Sequence, residues 1–487
     1  MKCFVLVILF LTYYSFSEIW SYQTDGYVYF LNNQIIIDSD NNYIVGGNIE
    51  IDRVSNFYPV LYKYDINGNL LTLKDFNIQQ FEYIEDLILV ENNNYFLVTT
   101  ISNSGPGNEV TRIIKLNPNF DIIWQKEIDF LPNCGKTALL NSDGDYLISY
   151  VKQKPTTNKC VLVVDKIDKN NGELIWRHEV GPSYEEITIR PITLCNSDSS
   201  FVTFSGYWDL DKDINRIFFV KHDQSGNLLE SRVLTDSTTA ILISVEKTRS
   251  GEFLLSGQRR LSVPKFKSMM MKLGSNMNVL WDRTEDINNK NNACQKLIEA
   301  SNSTLIAIGF KNSESSINSD IYFRNLDQDG NILLESNIKS QLNIGENFLV
   351  DVVETTDNDF ITVGALYHTD YSAKALIAVF DKDGNHNVKI EESNEENSVK
   401  RYHLIGNYPN PYNPSTTIKY SLEVKSDVKI LVFNGNGEKL FESGLISSKI
   451  GENKFELNTN SFSSGTYIYS LEVNGKTVDS KSMTLIK

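Results

Sequence analysis

Histidine and cysteine are scarce in this chain, which has five of each among its 487 residues. No histidines stand in an HExxH or other ligand spacing, and the cysteines show no CxxC spacing. These absences exclude the familiar zinc and redox motifs. The G-x-S-x-G elbow and the Walker loop are missing too, so the sequence predicts no cofactor and no catalytic residue of those classes.

Basic residues are outnumbered, since 46 Lys and Arg face 62 Asp and Glu, which gives a formal net charge of −16. No cluster of Lys and Arg stands out, so nucleic acid is excluded as the expected partner. The acidic residues are spread along the whole chain, and solubility explains them.

Long apolar runs are absent apart from Cys3–Leu11, which follows Lys2 and precedes the small residues Ser15 and Ser17. This pattern predicts a secretory signal peptide over residues 1–17, and the run is too short to span a membrane. We therefore expect the chain to reach the periplasm and then the outer cell surface or the medium. Outside the cell a disulfide is permitted, with Cys134–Cys160 the nearest pair, but free thiols in a large domain explain the same residues.

Helical periodicity is missing as well, whereas aromatic residues abound, with 24 Tyr and 25 Phe. Short apolar runs separated by Asn- and Ser-rich segments favour strands and turns, so the sequence predicts an all-β fold. One motif, of the type "DNNYIVGG", recurs seven times at spacings of 51 to 55 residues. Its first large apolar residues are Tyr43, Tyr95, Tyr146, Phe201, Phe253, Leu305 and Phe360.

A second element keeps the same period, an apolar run that ends in a polar turn, as in "VLYKYDINGNLL". Glycine at the tip of five of these turns predicts tight hairpins. Lysine ends the run in five copies, and tryptophan follows the turn in three. These residues are Gly68, Gly172, Gly226, Gly330 and Gly384; Lys63, Lys115, Lys166, Lys221 and Lys272; and Trp124, Trp176 and Trp281.

Each copy thus provides four short strands, several of them apolar at successive positions and so buried on both faces. Four-stranded sheets repeated in this way are propeller blades, and seven copies predict a seven-bladed β-propeller over residues 18–391. Two segments are candidates for the strand that completes the last blade. One contains Trp20, which aligns with the repeated tryptophans, and the other is residues 386–391. The repeats resemble a degenerate extracellular bacterial repeat family, and this resemblance implies an exported propeller without established chemistry.

The C-terminal part has a different composition. Residues 392–406 are polar and charged, as in a solvated linker, and residues 407–487 alternate strands and turns as in a small Ig-like β-sandwich. "NYPNPYNPSTTIKYSL" together with "SSGTYIYSLEVNGK" and "KSMTLIK" resembles the C-terminal sorting domain of type IX secretion cargo. The resemblance implies the type IX machinery as a partner, through a motif at Asn407, Tyr408, Pro409, Asn410, Pro411, Asn413 and Pro414.

Candidate ligand residues lie where the chain enters the predicted innermost strands, because propeller ligands bind at a mouth of the central channel. They are Asp25, Glu85, Asp86, Glu185, Glu186 and Glu346. The same acids are also explained as wet rim residues. For a metal, the sequence predicts no site; its best cation candidate is the triplet Asp209, Asp211 and Asp213, which a solvated loop explains equally.

Three functions remain open from sequence. We expect a non-catalytic surface binding or adhesion propeller, whose glycan or protein ligand the sequence does not identify. The alternative is a carbohydrate-active enzyme with a carboxylate pair at the channel mouth, although the "SxDxGxxW" box of sialidase-type propellers is absent. The third is a purely structural role in a surface layer. Fold alone does not choose among them.

Overall fold

The structure, a computed structural model, describes the chain from residue 34 onward with internal gaps. The described ranges are 34–50, 57–66, 68–76, 82–102, 109–129, 137–140, 143–154, 159–184, 187–196, 198–235, 238–262, 265–285, 291–312, 319–338, 347–367, 373–385, 402–422, 426–434, 438–448, 451–473 and 476–487. The predicted signal peptide, Trp20 and residues 386–391 lie outside them.

The chain forms two compact units, Met1–Ser393 and Asn394–Lys487. The described residues are strands and turns with one 3₁₀ turn at Glu91–Asn93, so the prediction of an all-β fold is confirmed. No helix among them is long and apolar enough to cross a membrane. Of the cysteines, Cys160 and Cys294 are free thiols, whereas Cys134 lies outside the described residues.

The described part of the first unit contains seven antiparallel sheets in chain order. Sheets 1 to 3 are β1 (Gln34–Ile37), β2 (Tyr43–Glu50), β3 (Phe57–Tyr64), β4 (Leu70–Asp75); β5 (Glu82–Leu89), β6 (Tyr95–Ser102), β7 (Glu109–Leu116), β8 (Ile122–Asp129); and β9 (Thr137–Leu140), β10 (Tyr146–Gln153), β11 (Cys160–Ile167), β12 (Leu174–Tyr184).

Sheets 4 to 7 are β13 (Ile187–Cys195), β14 (Phe201–Asp209), β15 (Ile214–His222), β16 (Leu228–Val233); β17 (Thr239–Lys247), β18 (Phe253–Ser262), β19 (Lys265–Leu273), β20 (Val279–Glu285); β21 (Asn292–Glu299), β22 (Leu305–Asn312), β23 (Ser319–Leu326), β24 (Ile332–Ile338); and β25 (Asn347–Glu354), β26 (Phe360–Tyr367), β27 (Ala373–Phe380). Each repeated aromatic or leucine residue begins the second strand of its sheet.

Sheet 7 has three described strands, and both candidates for its fourth strand lie outside the described residues. The fold is propeller-like, and the count of seven blades stays a prediction. Sheets 7 and 1 do contact each other, because Ile361 and Val363 share an apolar cluster with Ile35 and Val45.

The turn between the third and fourth strands explains the repeated glycines. In sheet 3, Gly172 has a φ of 73° and donates its amide to Asp168. A Cβ at Gly172 would lie 2.6 Å from the ring of Trp124 on sheet 2. The glycine therefore serves both a left-handed backbone and the packing of one sheet on the next.

The repeated lysines and tryptophans also join neighbouring sheets. Lys115 on β7 forms an ion pair with Glu91 at 2.7 Å and donates to the carbonyl of Lys169 in the next sheet at 2.9 Å. Trp124 donates its indole N–H to the same carbonyl at 3.3 Å. Between sheets 5 and 6, Lys272 pairs with Glu252 and donates to the side-chain oxygen of Gln328, and Trp281 donates to the carbonyl of Gln328. These repeat residues are thus structural.

The second unit is an Ig-like β-sandwich of two sheets around one apolar cluster. Its strands are β28 (Tyr402–Tyr408), β29 (Ser415–Leu422), β30 (Ser426–Phe433), β31 (Lys439–Glu442), β32 (Ile446–Ser448), β33 (Gly451–Asn458), β34 (Gly465–Val473) and β35 (Lys476–Leu485). Strand β28 begins within the predicted linker 392–406, because Leu404 is buried in the sandwich core. The folded domain therefore starts earlier than residue 407.

Candidate functional site

The innermost strands of the seven sheets form a ring. These strands are β1, β5, β9, β13, β17, β21 and β25; each contacts the next, and β25 contacts β1. Five of them carry a register shift near their middle, in β5, β13, β17, β21 and β25. Such bulges re-aim side chains, and here they fall on the strands that surround the interior of the ring.

A polar belt follows the bulges around the ring. We define the belt as the residues nine positions before the start of each second strand, which are Gln34, Asp86, Thr137, Ile192, Ser244, Lys296 and Asp351. Six of the seven are polar or charged, although inner strands are otherwise rich in apolar residues. This composition singles out the belt as the candidate functional site.

On one side of the belt, Asp86 connects sheets 1, 2 and 3. Its Oδ1 accepts hydrogen bonds from the side chain of Gln34 at 2.5 Å and from the amide of Leu87 at 3.0 Å. Its Oδ2 accepts the amide of Ala138 in the next sheet at 2.7 Å. Asp86 is 6% exposed, so this carboxylate is already engaged by the protein.

Asp351, another member of the belt, connects sheet 7 to sheet 1. Its Oδ2 accepts the amide of Ile35 at 3.1 Å, and its Oδ1 lies 3.2 Å from the Nζ of Lys296. Lys296 also pairs with Glu246 of sheet 5 at 2.5 Å. Burial acts to lower the pKa of Lys296, but Asp351 and Glu246 outweigh it and raise that pKa above its usual value. The ammonium therefore stays charged.

Arg190 occupies the bulge of β13 and reaches across the ring. Its Nη2 lies 3.7 Å from Oδ2 of Asp86, and its side chain is 30% exposed. The two residues belong to sheets 4 and 2, with sheet 3 between them. The contact joins the inner strands of two sheets that are not adjacent, so Arg190 lies at the inner side of the ring.

The two described acids among the predicted ligand residues are buried in a strand, whereas the sequence placed them on an exposed rim. Glu85 and Asp86 lie inside β5 and are 3% and 6% exposed, not on a wet rim. Thr100 donates its hydroxyl to Glu85 at 2.8 Å. The strand begins at Glu82, earlier than the sequence suggested, because apolar residues at 84 and 87 extend its buried face. The other four candidates, Asp25, Glu185, Glu186 and Glu346, lie outside the described residues.

The acidic triplet after β14 does not converge on a cation. Asp209 forms an ion pair with Arg216 at 2.7 Å, whereas Asp211 and Asp213 are exposed in the following turn. Within the described ranges, no group of three or more His, Cys, Asp or Glu side chains is placed to hold a metal ion.

Sequence reasoning found Asp86 but missed the rest of the belt and Arg190. A signal was present, since a polar residue stands nine positions before the repeated aromatic in six copies. It was missed because the repeat was aligned on its apolar and turn residues. The bulge at Arg190 leaves one mark in the sequence, Pro191, because proline within a strand favours a bulge.

In the second unit, the proline-rich motif is built into the sandwich. Asn407 and Thr416 both donate side-chain hydrogen bonds to the carbonyl of Pro409, at 3.2 and 2.8 Å. Asn410 accepts the amide of Thr484 on the last strand at 2.9 Å. Tyr408, by contrast, is 78% exposed. The motif therefore anchors the start of the domain to its end and presents one aromatic ring to solvent.

Residues 407–485 match the family model of the secretion system C-terminal sorting domain. This match confirms the resemblance to type IX cargo, and the domain implies secretion to the cell surface or beyond. No curated protein is significantly similar to this chain in sequence.

Several solved structures resemble the chain in fold. An ulvan lyase from a polysaccharide lyase family has a TM-score of 0.50 at 9% identity, covering 74% of this chain and 94% of the lyase. The β-propeller domain of the trilobed protease from Pyrococcus furiosus has a TM-score of 0.38 at 10% identity, covering 70% and 90%. An α-L-arabinofuranosidase of Fusarium graminearum has a TM-score of 0.41 at 8% identity, covering 73% and 94%. At these identities the lyase similarity shows the fold alone.

Proposed function

We propose that the first unit is a non-catalytic binding or adhesion module, which the C-terminal domain delivers to the cell surface or the medium. The ligand is a glycan or a protein that enters the ring from one mouth. One observation carries the proposal: the belt carboxylates Asp86 and Asp351 are committed to bonds between sheets. A general base or a nucleophile needs a lone pair directed at the substrate, whereas both oxygens of each of these carboxylates already accept hydrogen bonds or an ion pair from the inner strands.

The export half of the proposal has its own test in a host with type IX secretion. A chain ending at residue 391 is expected to remain in the periplasm, because it lacks the sorting domain. A reporter fused to residues 392–487 behind a signal peptide is expected to reach the surface, as detected by protease accessibility of intact cells. Export of the truncated chain at the level of the full chain would refute the sorting role.

The proposed binding role is tested with the purified full chain, both on a glycan array and in pull-downs from an extract of surface and extracellular material. The matched variant is Asp86→Asn, which keeps the size of the side chain and alters the belt. We expect the wild type to retain a ligand and the variant to retain less of it, because an amide NH2 at this position would meet the N–H groups of Gln34 or Ala138 and displace the belt. Thermal unfolding of the variant measures how far the fold itself is affected. Absence of any ligand in both assays would overturn the binding role.

The second candidate function is a carbohydrate-active enzyme, and the fold similarity to the ulvan lyase favours it over other enzyme classes. Acids outside the described ranges, such as Glu185 and Glu186, are candidates for its carboxylate pair. Incubation of the purified chain with a panel of acidic and neutral polysaccharides decides between the two. New reducing ends or unsaturated sugars above the level of a heat-denatured sample would establish the enzyme.

A further inference from the structure

We propose that Arg190 forms an oxyanion subsite in the central channel, which takes a carboxylate or a sulfate ester carried by the ligand. The inference rests on the proposed binding function and adds the chemistry of the group that is recognised. It depends on the position of Arg190, on its unused hydrogen-bond donors and on the state of its neighbour Asp86.

The position of Arg190 among the inner strands favours access from the interior of the ring. Its closest charged partner belongs to the second sheet, although Arg190 itself belongs to the fourth. Its side chain is 30% exposed even so. An exposed guanidinium between non-adjacent inner strands faces the channel, where a ligand would enter.

The donors of Arg190 are largely unused. Its Nε is buried and has no hydrogen-bond partner among the described residues. The distance of 3.7 Å from its Nη2 to Asp86 is too long for a hydrogen bond. A guanidinium has five N–H donors arranged as a planar fork, which matches the two oxygens of a carboxylate or sulfate.

Two other arginines of the first unit form close ion pairs. Arg177 forms a fork with Asp165 at 2.8 and 2.7 Å, and Arg259 forms one with Asp282 at 2.8 Å on both sides. Each pair engages two guanidinium nitrogens within its own sheet. Arg190 has no such fork, so an acceptor from outside the protein would complete its coordination.

Asp86 does not supply that acceptor, because its nearer oxygen lies 3.7 Å from Nη2 of Arg190 and is held in place by other N–H groups. Three N–H groups, from Gln34, Leu87 and Ala138, donate to the two oxygens of Asp86. Hydrogen bonds of this kind hold the carboxylate in place and spread its charge. The position of Asp86 near Arg190 therefore steadies the guanidinium electrostatically while leaving its fork available.

The experiment measures binding of paired probes to the full chain by calorimetry. The first pair is a galacturonic acid trisaccharide and its neutral methyl ester, and the second is a sulfated disaccharide and its unsulfated form. We expect at least one charged probe to bind about tenfold or more tightly than its neutral partner, as for a charge-assisted hydrogen bond. The pair that shows the preference identifies carboxylate or sulfate as the recognised group.

The variants Arg190→Gln and Arg190→Lys test the residue. Arg190→Gln is expected to abolish the preference, and Arg190→Lys to keep only part of it, because lysine retains the charge but not the fork. Arg283→Gln is the matched control, since Arg283 lies on the outer strand β20 and donates to the carbonyl of Asp329 in the turn of the next sheet. Thermal unfolding of each variant checks that the fold is intact.

The outcomes separate the subsite from the binding function. Equal affinity for charged and neutral probes, or a preference that survives Arg190→Gln, overturns the subsite and leaves the binding module standing. A preference lost equally in Arg283→Gln overturns it as well. If the wild type binds no probe while a protein partner is captured through Asp86, the ligand is a protein and the oxyanion subsite is wrong.

Discussion

The two units differ in the polar side chains that they bury between their sheets. The first unit buries charged side chains between and within its sheets, among them Asp38, Lys63, Glu82, Asp86, Arg112, Lys115, Asp165, Arg324 and Asp351. In the described part of the second unit, the buried polar residues are all uncharged, namely Thr416, Ser443, Ser448, Thr459 and Ser470. Its single core is apolar.

The difference follows from geometry. Each sheet of the first unit must match two neighbours at once, and apolar contacts have no direction. Ion pairs and hydrogen bonds such as Asp351 to Ile35 fix which residues of adjacent sheets face each other. A sandwich has one interface and short connections, so apolar alternation is enough to set its register. Burying a charge destabilises the folded state unless the charge is paired. In the first unit, buried charges such as Asp351 are paired, and the pairs fix the register between neighbouring sheets.

The largest effect is expected where both units are alike, in a buried aromatic ring. Tyr146 is fully buried and stacks on Phe96 of the preceding sheet with ring centroids 4.0 Å apart. Tyr146→Ala should destabilise the first unit by about 3 to 5 kcal/mol, since it removes a buried aromatic ring and leaves a cavity. Differential scanning calorimetry of the full chain, in which we expect one transition per unit, measures the change.

Two tyrosines of the second unit serve as controls for that measurement. Tyr469→Ala, at an equally buried position, should lower only the second transition by a similar amount. Tyr408 is 78% exposed, so Tyr408→Ala should cost under about 0.5 kcal/mol. If Tyr146→Ala moves both transitions, the units are not independent and the comparison fails.

The second-largest loss of stability is expected from breaking a buried ion pair, a feature that the first unit has and the described part of the second unit lacks. Arg112 donates to Glu82 at 3.2 Å, and both side chains are almost fully buried. Burial raises the pKa of Glu82, while Thr99 and Arg112 oppose the rise. Arg112→Met leaves this carboxylate buried without its partner and should cost about 3 kcal/mol in urea unfolding at neutral pH.

Two further variants bracket that value. The double variant Arg112→Met with Glu82→Gln should recover part of the loss, because no buried charge is then uncompensated. In the second unit, Lys439 pairs with Glu442 at 2.5 Å but is 49% exposed, so Lys439→Met should cost under about 1 kcal/mol. Equal losses from Arg112→Met and Lys439→Met would contradict the contrast between the units.

Much of the fold was readable from the sequence because its signals are local. Tyr43 and its six counterparts begin the second strands, and Gly68 or Gly172 adopts the positive φ that a tight hairpin turn needs. At two of the seven turns Phe120 and Met277 take the same backbone conformation. Their side chains are buried, so packing compensates a strain that sequence rules assign to glycine.

The candidate site was less readable, because it depends on side chains brought together from distant repeats. Asp86 was identified as an acid near an inner strand, but its bonds to Gln34 and Ala138 span about one repeat each. Arg190 depends on a bulge, which is a property of strand pairing between β13 and β14. Pro191 marks the bulge, but no local pattern shows which side chains of other repeats lie beside Asp86 or Arg190.

The smallest effect is a difference in the acid response of the units, and it comes from one histidine. His222 ends β15, where the other sheets place Leu116, Ile167, Leu273 or another apolar or tyrosine residue. It is fully buried, and neither ring nitrogen has a hydrogen-bond partner among the described residues. Burial lowers the pKa of His222 from 6.5 to about 4, with His178 adding to the shift and Asp223 opposing it.

A lowered histidine pKa means that the folded state favours the neutral ring. Its contribution to stability is fully present above pH 6.5 and is lost as the pH falls towards 4. Between about pH 7 and about pH 5 the first transition should therefore lose about 2 kcal/mol through this group. His222→Leu should remove that part of the pH dependence, and Leu273→His, at the equivalent position of sheet 5, should introduce a similar one. Calorimetry of the three proteins at both pH values measures it, with the second transition as the internal reference. An unchanged slope in His222→Leu would mean that the imidazole is not held neutral by burial, and the contrast between a charge-sensitive first unit and an apolar second unit would then rest on the ion pairs alone.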